Sequence, residues 1–182
     1  MPAKVYIKPN TYIYMVLLLF LIPIKWLFAW ILAAGFHELC HWLAVKLCGG
    51  EIYSISIGIG GAKMDCGPLS DKKRLFAVLS GPIGGFLLLI FGRWLPRTAL
   101  CSWLLSIYNL LPLLPLDGGR ALEILLGNKV NIAQKIFLLT LSAVALYVSA
   151  VLHLGLFPLA FVAFLWLKNR IPPCKVGACK VQ

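Results

Sequence analysis

Long apolar runs alternate with short stretches of charged and turn-forming residues along the chain. This pattern predicts about six membrane segments. They lie at residues 11–24, 26–46, 75–92, 98–116, 136–152 and 154–167. Several are shorter than the roughly 20 residues that a simple spanning helix needs. The last two could instead form one re-entrant pair around His153-Leu154-Gly155. We therefore predict an all-α polytopic membrane protein, with a single domain over residues 1–182.

The linker between the second and third apolar segments has a different period. Residues 53–60 alternate apolar with small or polar side chains, and a period of two predicts a strand with one apolar face. We expect a short membrane-associated β-hairpin, because backbone groups at the membrane border need hydrogen-bond partners. An open strand edge could accept a substrate strand, which makes Ile55, Ile57 and Gly58 candidate substrate-binding residues. The hairpin could equally serve only to plug the helix bundle.

Composition supports the membrane assignment. The chain is 61% hydrophobic and only 13% charged, with a mean hydropathy of +0.91. A soluble domain is nearer half apolar and a quarter charged. The net charge of +11 comes from basic residues at segment ends, where they meet anionic lipid. Because no patch interleaves aromatic with basic residues, we predict the lipid bilayer, and not nucleic acid, as the partner of these charges.

The distribution of Lys and Arg predicts the orientation. With six crossings and a cytosolic N-terminus, 14 of the 17 basic residues face the cytosol, and only Lys25, Arg93 and Arg97 face the other side. This strong positive-inside bias favours a multi-pass protein with both termini in the cytosol.

One short motif carries chemistry. His37-Glu38-Leu39-Cys40-His41 lies inside the second apolar segment. Histidines four residues apart project from one face of a helix, so both imidazoles can reach one metal ion, and the adjacent glutamate can act on a metal-activated water. An ionisable residue such as Glu38 is costly in a bilayer and indicates function.

A third ligand is predicted at Asp117. A catalytic zinc needs three protein ligands and an open position for water, and this carboxylate ends an apolar run that Pro112 and Pro115 interrupt. Two glycines after Asp117 permit an unusual backbone path. The alternative makes Asp117 the cap of a helix that starts near Arg120. The two histidines favour ligation, and a His₂Asp set with one open position suits one Zn²⁺ ion.

Small residues in the third segment predict close helix packing. Gly81 and Gly85 form a small-xxx-small pair in Ser80-Gly81-Pro82-Ile83-Gly84-Gly85, which lets a neighbouring helix approach. Small residues of the second segment offer a matching surface. They are Ala29, Ala33, Ala34 and Gly35.

In this order, the histidine motif, the glycine-rich strand-like linker, Ser80-Gly81-Pro82 and the run from Asn109 to Arg120 resemble the site-2 proteases, which are intramembrane zinc metalloproteases. The chain looks most like the compact bacterial branch that includes a sporulation protease acting on a pro-sigma factor. The resemblance covers about residues 26–125.

The resemblance implies a three-helix catalytic core in a bacterial cell membrane, and the distribution of Lys and Arg predicts that the active site opens towards the cytosol. The resemblance also implies zinc bound by His37, His41 and Asp117, with Glu38 as general base. The substrate would be a transmembrane or membrane-associated protein. Since the chain shows no PDZ or other soluble domain, substrate choice and regulation must come from the helices, the hairpin or a membrane partner.

Two positions in these motifs leave alternatives open. Cys40 stands where the family commonly has glycine, and a small packing residue is favoured over a sulfur ligand. Asn109 could bind the substrate backbone or the oxyanion, or it could brace the broken helix.

Two other functions compete with proteolysis. A metal or proton transporter would also place His and Asp inside a bundle, but it often shows an inverted repeat, and none is found here. An inactive metal-binding scaffold is disfavoured because all three ligands and the base are present.

Overall fold

Six helices and a four-stranded sheet make up the part of the chain that the computed structural model describes. The described residues are 4–7, 18, 20, 22–58, 61–151, 157–169 and 179–181. The helices are α1 (Ile24–Leu47), α2 (Asp71–Leu87), α3 (Pro96–Asn109), α4 (Asp117–Leu126), α5 (Val130–Val151) and α6 (Phe157–Asn169). The strands are β1 (Lys4–Ile7), β2 (Ile52–Gly58), β3 (Gly61–Cys66) and β4 (Cys179–Val181). Short 3₁₀ turns at Leu88–Phe91 and Gly127–Lys129 extend α2 and join α4 to α5.

Three of the helical stretches are long and apolar enough to cross a membrane. They are Ile24–Leu47, Asp71–Phe91 and Asp117–Val151. The predicted segments at 26–46, 75–92 and 136–152 fall within them, which confirms a mostly helical polytopic fold. The predicted segment at 154–167 corresponds to α6, a shorter apolar helix. Most of the segment at 11–24, and the residues around His153, lie outside the described residues.

The interruption that Pro112 and Pro115 predict within the apolar segment at 98–116 is confirmed. Helix α3 stops at Asn109, because Pro112 and Pro115 lack the N–H groups that would continue it. Residues 110–116 instead form tight turns, in which the Leu113 N–H donates to Leu111 O at 2.7 Å and the Leu116 N–H to Leu113 O at 2.9 Å. The Leu114–Pro115 peptide is cis. Helix α4 then begins at Asp117, and not near Arg120 as the capping alternative required.

Helix α1 is built with small residues inside and large ones outside. Its buried positions follow a helical spacing through Ala29, Ala33, His37, His41 and Ala44. Most of its large apolar side chains are exposed. They include Phe28, Ile31, Leu32, Leu39 and Leu43. This arrangement is the reverse of a soluble helix, and it suits a helix that packs closely on its neighbours and meets lipid with its outer face.

Helices α1, α2 and α3 form a three-helix core. Ala29 and Ala33 pack against Cys101 of α3, while Gly35 of the predicted small surface points into open space. Where α1 ends and α2 begins, the Lys73 ammonium donates to the Cys48 carbonyl at 2.9 Å. Between α2 and α3, the Ser102 hydroxyl donates to Gly85 O at 2.9 Å, which places Gly85 in the helix-packing role predicted for it.

The predicted hairpin is the centre of a larger sheet. Strands β2 and β3 pair antiparallel and close at Gly58 and Gly61. Strand β1 pairs parallel with the outer edge of β2, and β4 pairs antiparallel with β3, so the strand order is β1-β2-β3-β4. The hairpin packs on the helices through Ile52, Met64 and Cys66, which share a buried cluster with α1 and α2.

Cys40 faces Gly84 of α2. A Cβ atom added to Gly84 would lie 2.9 Å from the Cys40 Cβ and would also overlap its sulfur. The adjacent Ser80 hydroxyl donates to the Cys40 carbonyl at 3.1 Å, which fixes the two helices at this height. Cys40 is therefore a packing residue at the α1–α2 contact, and it is not among the described ligand atoms that converge on a metal position.

The contact between Cys40 and Gly84 can be tested by changing each residue alone and both together. Gly84→Ala should destabilise the folded protein by about 1–3 kcal/mol, because the new methyl group collides with Cys40. Adding Cys40→Gly to this variant should recover most of the lost stability, since it removes the side chain with which the new methyl group collides. Thermal unfolding in detergent of both single variants and the double variant measures the coupling, and strictly additive losses would contradict the contact.

Candidate metal centre

Helix α1 presents both histidines to the interior. His37 and His41 lie one turn apart on the buried stripe of the helix, with 3% and 0% of their surfaces exposed. Their imidazole Nε2 atoms are 3.2 Å apart. Two imidazoles with their Nε2 atoms this close form two of the three ligands predicted from the sequence.

Asp117 would supply the third ligand atom, from a distant part of the chain. Its Oδ2 atom lies 3.1 Å from His37 Nε2 and 3.2 Å from His41 Nε2, and the residue is 1% exposed. The N-cap of α4 is Leu116 and Asp117 is the first residue of the helix, so the capping alternative is wrong. The positive end of the α4 dipole stabilises this buried carboxylate.

Two glycines allow Asp117 to approach the histidines. A Cβ atom on Gly118 would overlap the carbonyl of Leu110, and one on Gly119 would lie 2.5 Å from Leu114 N. The first turn of α4 is thus pressed directly against the backbone of the preceding turns. Larger residues at these two positions would move Asp117 away from the histidines.

The spacing of the three atoms fits a tetrahedral metal ion. Ligand atoms about 2.0–2.1 Å from such an ion lie about 3.3–3.4 Å apart. The three observed separations of 3.1–3.2 Å are close to that value. Two imidazoles and one carboxylate in a buried site are a donor set that zinc accepts, and one coordination position would remain open.

A neighbouring carbonyl orients one of the ligands. The His41 Nδ1–H donates to Ala77 O of α2 at 2.8 Å, which leaves the Nε2 lone pair for a metal. His37 Nδ1 is buried and has no hydrogen-bond partner within the described ranges. Helix α2 therefore fixes the ring of His41, while His37 is held by its packing and by Asp117.

Glu38 lies between the two histidines on α1 and is partly buried, with its Oε2 atom shielded from solvent. Its charge acts on His41 and on Arg120. Arg120 is 8% exposed and lies one turn after Asp117, and its charge also acts on that carboxylate. No role in the site was predicted for Arg120, although its spacing of three residues from Asp117 on a helix could have indicated one.

Gly81 has a role that the sequence analysis missed. A Cβ atom at this position would lie 2.5 Å from His41 Cε1 and 2.8 Å from His37 Nε2, and it would overlap His41 Nε2. Gly81 was predicted to let a helix approach, but what it accommodates is the pair of metal ligands. Because Gly81 lies one turn before Gly85, the sequence indicated a helix face without side chains. Only the fold shows that the two histidines lie against that face at Gly81.

The predicted substrate-binding residues are separated in the structure. Asn109 is the last residue of α3, and its side chain makes no hydrogen bond to any described residue that would brace the break. Ile55, Ile57 and Gly58 lie on β2, whose pairing partners include Val5 and Ile7 of β1. Strand β2 is thus an inner strand, and its substrate role stays a prediction.

Comparison with known proteins bears on the fold. No family model and no curated protein matches the chain. A solved structure, the site-2 protease from Methanocaldococcus jannaschii, matches with a TM-score of 0.60 over 94% of this chain and 93% of that one, at 21% identity. This chain has the site-2 protease fold. The shared architecture covers nearly the full length, which extends the resemblance beyond residues 26–125.

The contact of Gly81 with the histidines generates a test of the site. Gly81→Ala should lower the zinc content of the purified protein well below one ion per chain, because the methyl group displaces the ligand nitrogens. Metal analysis by mass spectrometry provides the measurement. Gly35→Ala is the matched control, since a Cβ there meets nothing within 4 Å. Full zinc occupancy in Gly81→Ala would show that the ligands tolerate a side chain at this position.

Proposed function

We propose that this protein is an intramembrane zinc metalloendopeptidase of the site-2 protease family. Its substrate would be a transmembrane segment, or a membrane-associated pro-protein, cut as a step of regulated intramembrane proteolysis. The observation that carries the proposal is the convergence of His37, His41 and Asp117 inside a bundle with three stretches long enough to span a membrane. The site-2 protease fold supports it independently.

The chemistry divides between the ligands and the base. A zinc ion bound by His37, His41 and Asp117 would supply Lewis acidity towards a water molecule and the scissile carbonyl. Glu38 would accept the proton of the attacking water and deliver it to the leaving amine. The Ala77 carbonyl would keep the His41 ring in its ligating orientation throughout, because it accepts a hydrogen bond from the Nδ1–H.

The charge distribution supports an orientation for the site. Lys46, Lys72 and Lys73 lie near the junction of α1 and α2, at the end of the bundle towards which the metal ligands are displaced. Lys25 and Arg97 begin α1 and α3 at the other end. With the positive-inside rule, this arrangement favours a multi-pass protein whose active site opens towards the cytosol.

Mutation of the base separates proteolysis from metal binding. Glu38→Gln should retain zinc and reduce the cleavage rate by about 10²–10⁴-fold, because the amide cannot accept a proton. The protein is reconstituted in vesicles with candidate membrane substrates, and cleavage and zinc are measured on the same sample. Glu51→Gln provides the control, because it makes the same change at an exposed position.

Each result has a distinct meaning. Normal cleavage by Glu38→Gln would remove this residue from the mechanism. Zinc binding without cleavage by the unaltered protein would indicate an inactive scaffold, and zinc flux into the vesicles would indicate a transporter. Substrates that Glu38→Gln retains after cross-linking can be identified directly, which would name the target.

The sheet offers a place for an unwound substrate. A helical peptide bond is shielded and already hydrogen-bonded, so the substrate must extend before it is cut. Ile55, Ile57 and Gly58 of β2 would pair with such a strand if β1 gave up its place. Tyr6 of β1 lies opposite Ser56 of β2, so cysteines at these two positions could link the strands by a disulfide.

A reversible cross-link tests this role of β2. Tyr6→Cys combined with Ser56→Cys should form a disulfide that stops cleavage, and reductant should restore it, because the locked β1 blocks the strand edge. Each single variant controls for the substitutions themselves. Cleavage that continues in the fully oxidised double variant would show that the substrate binds elsewhere.

A further inference from the structure

A groove of about 260 Å³ lies where α1 and α3 begin, far from the metal centre. Its lining from α1 is Lys25, Phe28, Ala29 and Leu32, and its lining from the α3 side is Trp94, Leu95, Pro96, Arg97 and Thr98. Lys25 precedes His37 by twelve residues, which is about 18 Å along a helix. The groove is therefore a separate site.

No carboxylate of the described residues balances the charge in this groove. None of the six Asp and Glu residues of the chain lines it. Across the ranges that the structure describes, neither Lys25 nor Arg97 forms an ion pair with a carboxylate. The N-terminal ends of α1 and α3 add the positive ends of two helix dipoles. The groove consequently presents uncompensated positive charge to whatever occupies it.

Arg97 is held in a position suited to an anion. Its guanidinium carbon lies 5.9 Å from the centre of the Trp26 ring, a cation–π contact that links α3 to α1. Contact with an aromatic face leaves the N–H donors at the edge of the guanidinium plane, and these donors match the oxygens of a phosphate.

The remaining walls are apolar and open to the surroundings. Phe28 is 63% exposed and Trp94 is 72% exposed. The volume is smaller than the roughly 300–1,000 Å³ of sites that enclose a whole small molecule. A ligand with a compact anionic group and a long apolar remainder fits these features, because only its head needs to enter the groove. Tryptophans such as Trp26 and Trp94 are typical of the interface between bilayer and water.

We propose that this groove binds an anionic phospholipid. The headgroup phosphate lies between Lys25 and Arg97, and the beginning of an acyl chain follows Phe28 and Leu32 along the outer face of α1. The lipid neutralises the two cations and joins the first turns of α1 and α3. This role does not depend on peptide-bond hydrolysis and requires only that the two helices lie in a bilayer.

Native mass spectrometry of the full chain in detergent tests the proposal. Dioleoyl-phosphatidylglycerol and dioleoyl-phosphatidylcholine are added at equal concentration, and the bound lipids are counted. The unaltered protein should retain the anionic lipid several-fold more than the zwitterionic one. Lys25→Gln and Arg97→Gln should each lower occupancy by the anionic lipid about fivefold, and together by more.

Arg93→Gln is the matched control, because Arg93 lies at the same end of the bundle but does not line the groove. The charge-conserving pair Lys25→Arg with Arg97→Lys should keep the preference. Zinc content confirms in each variant that the core is folded. Equal retention of the two lipids, an equal loss in Arg93→Gln, or displacement of the lipid by millimolar inorganic phosphate would overturn the proposal.

Discussion

The meeting of Asp117 with His37 and His41 is the interaction on which the rest of this structure depends. It brings together residues 80 positions apart in the chain, in a region without bulk water to stabilise them singly. A carboxylate buried to this degree needs a partner that offsets its lost hydration. The His37 imidazole can donate a hydrogen bond to it, whereas the His41 Nδ1–H already donates to Ala77 O, and a divalent cation would compensate the carboxylate more strongly.

Glycines make the convergence of His37, His41 and Asp117 possible, because they have no side chains to keep the helices apart. Gly81 leaves the histidines room on the α2 side, and the glycines after Asp117 let α4 press on the backbone before it. The same strategy runs along α1, whose inner face is mostly alanine apart from the ligands. Because lipid gives helices no hydrophobic reason to associate, contact between small residues is what brings backbones, and hence ligands, within reach.

Some of this architecture could be predicted because its signals are local. The spacing of His37 and His41 fixes their common face, and the period of residues 53–60 fixes a strand. The end of α3 could also be predicted, because Pro112 excludes a regular helix even though apolar residues continue past Asn109. The ligand-facing role of Gly81 and the covering of β2 by β1 could not be predicted, because each depends on which distant residue lies opposite.

The broken backbone between α3 and α4 has a consequence for the idea of a minimal catalytic core. Its Leu113 and Leu116 are buried against Leu138 of α5 and Leu165 of α6. The C-terminal helices thus act as a buttress behind the segment that delivers Asp117. A fragment ending near residue 125 would contain every ligand and yet lack the wall against which the third one is braced. The residues proposed to perform the chemistry and the C-terminal helices that hold them in place therefore lie in different parts of the chain.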